Sequence, residues 1–589
     1  MPVPHALYEH SVEAFAILLL LSGLDDLVPT LLVLWCWARP KRRPRRIPEP
    51  EEERRIAIFV PCWREAAVID EMVRRNLSVI RYDNFDLFLG VYPNDDATLA
   101  AARRLAATLR RVHTAECPHA GPTSKADCLN WIYQHMLLFE EERRMRFDTI
   151  VVHDAEDLIH PGALALINRE RQIYDMIQVP VLALPTPKRE LTHGVYCDDF
   201  AEYQTIDMRA RQISRAFLPS NGVGTAYAHD VLDRLAETNG NRVFEPASLT
   251  EDYESGVRIH ALGYSQRFCP LATAGDFTAT REYFPRAFWK AVRQRTRWVM
   301  GVALQSWERN GWRGQWLTKY WFWRDRKGLW ANPLGAFANV LFIAGVLTWL
   351  WAWRVDRPWP MRVYSPLAIS LTTATLLLQC VRLAIRMECV RRIYGGRFAL
   401  LVPLRSLHEN VINGVATARA LVTYALARLR RSPLVWLKTE HAYPNREAFT
   451  APARELAQIL VGSGYIAESA MESMRASLPP GAELSDRLLG YGLIDEERLC
   501  EAIGLQEGLP SVYLKPPDVN VKIARSLPAN IAADFEVVPF RVEAGRLLLA
   551  GPKPPRLNFR RELRRFTRLD IEFYLVTWRN FEELKSVLL

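Results

Sequence analysis

Phe147-Asp-Thr-Ile-Val-Val-His153 runs directly into Asp154-Ala-Glu-Asp157. The first part is a short apolar run with β-branched residues, which reads as a buried strand. The second sets three carboxylates at the carboxyl end of that strand. Two other segments repeat the pattern. Arg55–Pro61 (RIAIFVP) reads as a strand followed by a helix from about Glu65. Asp86–Tyr92 (DLFLGVY) reads as a strand followed by Asn94-Asp95-Asp96 and a helix over Thr98–Val112. Strands alternating with helices predict a parallel α/β sheet, and ligands of such sheets bind at the carboxyl ends of the strands. The polar motifs of this chain fall there.

Outward from this core the composition changes. At about 100–200 residues per domain, 589 residues predict several units. Charged residues are 24% of the chain, as in a soluble protein, so its apolar stretches are concentrated in places. Ala14–Trp37 has the length of a membrane span, and contains Asp25-Asp26. Aspartates are costly at mid-membrane; they face a protein partner, or the helix breaks near Gly23. A cleaved signal peptide carries basic residues before its apolar run. Here they follow it, at Arg39–Arg46, which favours an anchor. Pro333–Trp353 and Pro366–Leu383 read as further spans, and Phe398–Leu426 as an amphipathic or re-entrant segment at the interface. Arg39–Arg46, Arg386, Arg391, Arg392 and Arg397 place residues 39–332 and 384–589 in the cytoplasm by the positive-inside rule.

The net charge is +10, and the densest basic cluster lies beside the first span, with no basic stripe interleaved with aromatics. That pattern argues for an anionic membrane surface and against nucleic acid. The nine cysteines form no CxxC and no paired spacing, which argues against zinc sites and a disulfide framework.

Four groups of residues carry candidate chemistry. Asp154 and Glu156 can ligate a hard divalent cation whose shell is completed by phosphate oxygens; a solvated acidic turn or a helix cap would look the same. Thr250-Glu251-Asp252 offers a carboxylate base for an acceptor hydroxyl, or simply first-turn acids that favour a helix dipole. Gln294-Arg-Thr-Arg297-Trp298 offers a cation for a diphosphate and a ring for a sugar, or a basic amphipathic helix at a membrane. Pro61-Cys-Trp-Arg-Glu65, Asp95, Asp96 and Lys125 face the same crevice as nucleotide contacts, or serve as turn and cap residues.

Taken in order, Pro61/Glu65, Asp95/Asp96, Lys125, Asp154/Glu156, Asp252 and Gln294/Arg297/Trp298 resemble the processive family 2 glycosyltransferases, the group of cellulose and hyaluronan synthases. The resemblance covers about residues 52–440. It implies a GT-A fold, a UDP-sugar donor, a glycan acceptor, Mg²⁺ or Mn²⁺, and inversion at the anomeric carbon. Glu65 and Asp95 would hold the nucleotide, Asp154 and Glu156 the metal. Asp252, beside Glu251, would be the base. Gln294, Arg297 and Trp298 would hold the diphosphate and the acceptor end. Glu156 stands where the family has a second Asp.

The carboxy-terminal part is soluble again and carries a loose repeat, Glu455-Leu-Ala…Gly464-Tyr-Ile and Glu483-Leu-Ser…Gly492-Leu-Ile, then strands at Arg546–Ala550 and Asp570–Val576. The second copy, with Leu484, Leu488, Gly492, Leu499, Ile503 and Gln506, resembles the cyclic di-GMP-binding MshEN domain of secretion and pilus ATPases. Both copies lack that family's leading Arg-Leu-Gly, and the first also lacks the closing Gln. A synthase joined to such a module resembles the inner-membrane NfrB-like glycosyltransferases of bacteriophage-adsorption systems, an impression that Arg324–Leu329 and Trp436–His441 fit. That implies an outer-membrane NfrA-like partner and an exported polysaccharide.

The expected organisation is therefore a transmembrane helix (1–38), a charged linker (39–53), an α/β GT-A domain (54–330), membrane and interfacial helices (331–430), a linker (431–450) and an α+β MshEN-like domain (451–589) gated by cyclic di-GMP. Two other functions share these features: transfer to a polyprenyl phosphate, and a receptor scaffold that has lost turnover.

Overall fold

The computed structural model describes residues 5–38, 47–48, 50, 52–270, 278–432, 434, 455–462, 465–477, 484–507, 509–543, 546–555 and 559–588. The basic cluster 39–46, most of the linker 431–450, Trp436–His441, Gly464 and Glu483 lie outside them.

After the long helix α1 (His5–Ala38), the chain builds β1 (Ile56–Pro61), α2 (Ile69–Val79), β2 (Phe85–Val91), α3 (Asp96–Thr108), β3 (Val112–Glu116), α4 (Lys125–Arg143), β4 (Thr149–Val152) and α5 (Ala163–Glu170). The four strands pair in parallel in the order β3-β2-β1-β4. Ile56 to Val60 are all buried, as a central strand covered by helices on both faces requires.

The next stretch is β5 (Met176–Gln178), β6 (Val181–Ala183), α6 (Leu191–Glu202), α7 (Met208–Ile213), β7 (Thr225–Ala228), α8 (His229–Glu237), α9 (Glu251–Ala261), β8 (Gln266–Phe268), β9 (Thr280–Glu282), α10 (Phe288–Trp298) and α11 (Ser306–Asn310). Here the sheet is mixed. β7 inserts antiparallel between β4 and β5, and β8 continues parallel to β5, giving seven strands in the order β3-β2-β1-β4-β7-β5-β8. The pair β6-β9 stands apart. π-Helical segments join α6 to α7 (Tyr203–Asp207) and α10 to α11 (Val299–Gln305). Both lie against the membrane helices, and such segments often mark functional sites.

Among the described residues, three helices are long and apolar enough to cross a membrane: α1, α12 (Trp316–Arg354) and α13 (Pro366–Tyr394). α12 begins well before residue 331, so the expected boundary between domain and membrane falls inside one continuous helix. α1 does not break at Gly23. Its two aspartates find their partners within the chain. Arg324 meets Asp25 at 2.8 Å, Lys327 meets Asp26 at 2.6 Å, and Arg382 meets Asp26 at 2.9 Å. At the other end of the bundle, Glu9 accepts the amides of Tyr364 and Ser365, so the start of α1 and the turn between α12 and α13 lie together. Past α14 (Gly396–Ala399), the expected interfacial segment is the helix α15 (Val402–Leu429). It buries Arg405, Glu409, Ile412, Ala416 and Ala420, and leaves Leu404, Val411 and Val422 exposed.

The carboxy-terminal region has helices α16 (Leu456–Gly462), α17 (Glu468–Ala476), α18 (Leu484–Gly490) and α19 (Glu496–Glu507), then β10 (Val538–Glu543), β11 (Arg546–Gly551) and β12 (Asp570–Leu575). β11 pairs antiparallel with β10 and parallel with β12. The helices do not stand free: Leu460, Leu488, Leu499 and Ala502 share one apolar core with Val68, Ile69 and Met72 at the start of α2.

Candidate active site

A cavity of about 140 Å³ opens at the carboxyl ends of β1, β2 and β4. Pro61, Glu65, Lys125, Asp154, Glu156, Glu251, Asp252, Gln294, Arg297 and Trp298 all line it. Side chains from four separate motifs thus converge where the sheet topology places ligands.

Lys125 is the first residue of α4, whose N-cap Ser124 accepts the Asp127 amide. The ammonium stands 2.5 Å from Asp154 Oδ1 and donates to the Gly222 carbonyl at 3.3 Å. Burial works against its charge, but Asp154, Glu251 and Asp252 outweigh that and raise its pKa above the usual lysine value. The turn carrying Asp154 is pinned from behind by Asp157, which faces inward. Its Oδ2 accepts from the Asp154 amide at 3.0 Å and pairs with His153 Nδ1 at 2.7 Å. Burial lowers the His153 imidazole to about 3 and raises the Asp157 carboxyl. Asp157 is thus the structural member of the tetrapeptide, leaving Asp154 and Glu156 on the cavity.

Glu251 and Asp252 open α9. Burial raises both carboxyls, Glu251 to about 7, with the neighbouring Asp252 adding to the effect on Glu251. Gly222 has φ +78°, and a Cβ there would stand 2.6 Å from Asp252 Oδ2. A glycine is needed at this position for the backbone conformation and for the approach of the carboxylate. Near both carboxylates, Arg297 donates to the Leu249 carbonyl at 3.4 Å. Arg297 Nε, Gln294 Oε1 and Asn221 Nδ2 are buried without a hydrogen bond. Buried polar atoms are normally paired, so these three keep bonding capacity for a ligand.

Asp95 and Asp96 lie outside the cavity lining. Asp95 caps α3, accepting from the Thr98 amide at 3.4 Å and from the Arg64 amide at 2.5 Å. It ties the loop after β1 to α3, with the Glu65 amide donating to Thr98 Oγ1 at 3.0 Å. Asp96 is exposed on the first turn of α3.

The donor set suits a divalent cation in one way. Among the described residues no three His, Cys, Asp or Glu side chains converge as a closed protein site. Asp154 and Glu156 offer carboxylates on one wall, facing a cavity that also carries Lys125 and Arg297. This matches the mode in which one or two carboxylates hold Mg²⁺ and substrate phosphates complete its shell.

Sequence reading missed the aromatic wall. Trp63 and Tyr92 meet edge to face at 5.3 Å, and Phe284 and Phe200 stand near Trp298 in the lining. Trp63 and Tyr92 each fall just past a predicted or actual strand end, the position that should have flagged them. Asn221 was missed too, although Asn221-Gly-Val-Gly224 is a conspicuous tight-turn sequence.

In the carboxy-terminal region the residues assigned to cyclic di-GMP are largely core. Leu488 and Leu499 are buried, and Leu484 and Ile503 pack on the same cluster. Gly492 takes φ +64° between α18 and α19, and Gln506 is half-buried.

Comparison with known proteins agrees with this anatomy. A family model described as "Glycosyltransferase like family 2" matches residues 53–301, and one described as "MshEN domain" matches residues 507–584. The MshEN match covers the β10–β12 half of the carboxy-terminal region and begins just after the helical repeat. Among solved structures, the mannosyltransferase PcManGT from Pyrobaculum calidifontis, in complex with GDP-Man and Mn²⁺, is 18% identical with a TM-score of 0.42; the alignment covers 67% of this chain and 99% of that one. Bacteriophage adsorption protein B of Escherichia coli (strain K12) is 30% identical over 572 residues, which is 91% of this chain and 76% of that protein. Bacteriophage N4 adsorption protein B of Escherichia coli O157:H7 matches with the same figures. The chain therefore belongs to the bacteriophage adsorption protein B family, as a membrane glycosyltransferase of family 2 with a carboxy-terminal MshEN domain.

Proposed function

We propose that this protein is a processive, inverting glycosyltransferase of the bacterial inner membrane, which uses a UDP-sugar to extend an exported polysaccharide. The observation that supports this most is the convergence of Lys125, Asp154, Asp252 and Arg297 on one cavity. Trp63 and Tyr92 would flank the base of the nucleotide, and Glu65 its ribose side. Asp252 takes the proton from the acceptor hydroxyl, whose oxygen attacks the anomeric carbon as the bond to the diphosphate breaks. Burial lifts the Asp252 carboxyl, bringing it closer to the working pH, as a general base requires. Arg297 and Lys125 meet the charge left on the departing UDP. Asp154 and Glu156 would hold Mg²⁺ or Mn²⁺, which when bound neutralises charge on the diphosphate. Trp298 would stack on the acceptor end of the glycan.

The arginines beside the spans favour a cytoplasmic catalytic domain, with the turn between α12 and α13 outside. An outer-membrane partner would receive the product. The MshEN domain would make turnover respond to cyclic di-GMP. The helical repeat shares a core with α2, so that binding is best measured on the full chain.

A polyprenyl-phosphate acceptor is the second reading. The apolar residues that α12 leaves exposed, Phe337, Phe342, Leu347 and Trp353 among them, would suit a lipid chain. The test is product analysis with the purified full chain in lipid, over a panel of UDP-sugars. A ladder of oligosaccharides supports the proposal, and a single lipid-linked sugar establishes the second reading. Absence of both transfer and UDP release across the panel would point to a silent scaffold.

A further inference from the structure

Arg324-Asp325-Arg326-Lys327, near the start of α12, sends its four side chains to three surroundings, with Arg324 and Lys327, three positions apart, sharing one face of the helix. Arg324 reaches Asp25 of α1 at 2.8 Å and Asp207 of the catalytic domain at 3.1 Å. Lys327 reaches Asp26 at 2.6 Å and Asp25 at 3.0 Å. Arg326 lies over the rings of Trp312 (4.5 Å), Phe322 (4.9 Å) and Trp307 (5.2 Å). Asp325 points into the catalytic domain, where one oxygen pairs with Arg211 and the other accepts the Tyr253 hydroxyl at 2.7 Å.

Tyr253 directly follows Asp252. Its backbone amide donates to Asp252 Oδ1 at 2.7 Å. The same residue therefore grips the candidate base with its amide and the membrane helix with its phenol. This matters because the first turn of α9 has no cap of its own: Thr250 makes no side-chain cap hydrogen bond. That turn is held from outside. The Leu249 amide donates to Gln305 Oε1 at 2.9 Å, and Thr250 packs directly on Gly301, both partners lying in the π-helical segment after α10. The phenol of Tyr253 supplies a further tether. Its ring is buried and meets Phe217 edge to face at 5.8 Å, so with its hydroxyl fixed its placement is set. Asp325 is fixed in turn by Arg211, whose guanidinium lies over Trp321 (4.4 Å) and Phe217 (5.1 Å). Two nitrogens of Arg211 are buried without a hydrogen bond, so the Asp325 carboxylate is its principal polar partner among the described residues.

We propose that Asp325, on the membrane helix α12, is a positioning residue for Asp252 and acts through Tyr253. The inference rests on the reading of Asp252 as the base. The membrane helix would then do more than anchor the enzyme: the turn of α12 locked to α1 by Arg324 and Lys327 also sets where the base stands. A general base works only within hydrogen-bond reach of the hydroxyl it deprotonates, and small misplacements lower turnover without changing donor affinity.

The test compares Tyr253→Phe, Asp325→Asn, the double variant and Asp252→Asn in the full-length enzyme, with kcat and donor KM measured separately and UDP affinity as a control. Tyr253→Phe removes one hydroxyl and leaves the Arg211–Asp325 pair intact, so it is the variant least exposed to misfolding. Its kcat should fall about ten-fold, as loss of a hydrogen bond to a charged group implies, while donor KM and UDP affinity stay at the wild-type values. If Asp325 acts through Tyr253, adding Asp325→Asn to Tyr253→Phe should lower kcat little further, a non-additivity that independent roles would not give. Wild-type kcat in Tyr253→Phe, with Asp252→Asn inactive, would overturn the positioning role and leave the base intact. Wild-type turnover in Asp252→Asn would overturn the base assignment and this inference with it.

Discussion

The catalytic domain is attached to the rest of the chain in two unlike ways. Against the membrane helices it adds buried charge to an apolar seam. Arg405 of α15 makes a two-pronged pair with Asp198 of α6 at 2.7 and 2.8 Å, with both side chains 1% exposed. Arg386 of α13 meets Glu202 at 2.5 Å and Asp199 at 3.3 Å, and also pairs with Glu409. Arg295 of α10 meets Asp199 at 2.5 Å and Asn413 of α15 at 2.6 Å. Against the carboxy-terminal helices its core is an apolar contact, Val68, Ile69 and Met72 with Leu488, Leu499 and Leu505, with Arg74 of α2 near Glu501 of α19. Buried ion pairs tolerate one geometry and penalise loss of either partner, whereas apolar contacts repack. The first attachment suits a domain that must hold one register over the bilayer. The second suits a module that can shift on α2, the helix leaving the Pro61–Glu65 loop of the candidate site.

The contrast breaks most easily at Arg405. Arg405→Met leaves Asp198 as a buried unpaired charge and should destabilise the enzyme by about 3–5 kcal/mol. The double variant Arg405→Met/Asp198→Leu should recover most of that, because burial already pushes the Asp198 carboxyl up to about 6 despite the arginine. Thermal unfolding in lipid or detergent measures both, and equal loss in single and double variants would contradict the role of charge. At the apolar seam, Leu488→Ala should cost about 2–4 kcal/mol and loosen the carboxy-terminal helices, read as faster amide exchange there while β1–β4 stay protected. Uniform exchange throughout would mean that the seam carries no separate motion.

The acid pair of α9 gives a smaller, pH-dependent effect. Burial raises the Glu251 and Asp252 carboxyls above their unfolded values, so their contribution to folding is fullest at low pH and is lost as pH rises through their folded values, about 7 for Glu251. Turnover has the opposite slope, since a base must be deprotonated. The kcat profile should fall on the acid side at a pH above the ordinary aspartate range, as one coupled titration, and a flat profile down to that range would exclude this pair. The smallest effect belongs to Arg428, whose pair with Glu308 is half-exposed on both sides. Surface pairs of this kind contribute little, and Arg428→Ala should leave the melting temperature unchanged.

These attachments were also the least legible part of the sequence. The strands at Ile56–Pro61, Phe85–Val91 and Thr149–Val152 could be read within a residue or two because each is an apolar run bounded by turns. β5, β6, β8 and β9 are three residues each, too short to show a period. The antiparallel β7 departs from the βα rhythm and could not be inferred from it. Asp25-Asp26 looked like a flaw in a membrane span because their partners, Arg324, Lys327 and Arg382, lie about 300 or more residues away in the chain. In the candidate site, Lys125, Asp154, Asp252 and Arg297, singled out by motif order, line one cavity. The capping role of Asp95 was not legible because a cap and a nucleotide contact use the same short carboxylate. Leu488 and Leu499 matched a ligand motif by spacing, but that spacing is also helical core periodicity.

The most direct measurement is sugar transfer from a UDP-sugar by the purified full-length chain, wild type against Asp252→Asn, with folding checked by melting temperature. The account predicts that the wild type transfers sugar and the folded variant loses at least about a hundred-fold in kcat, as removal of a general base implies. Wild-type turnover in a correctly folded Asp252→Asn would contradict it.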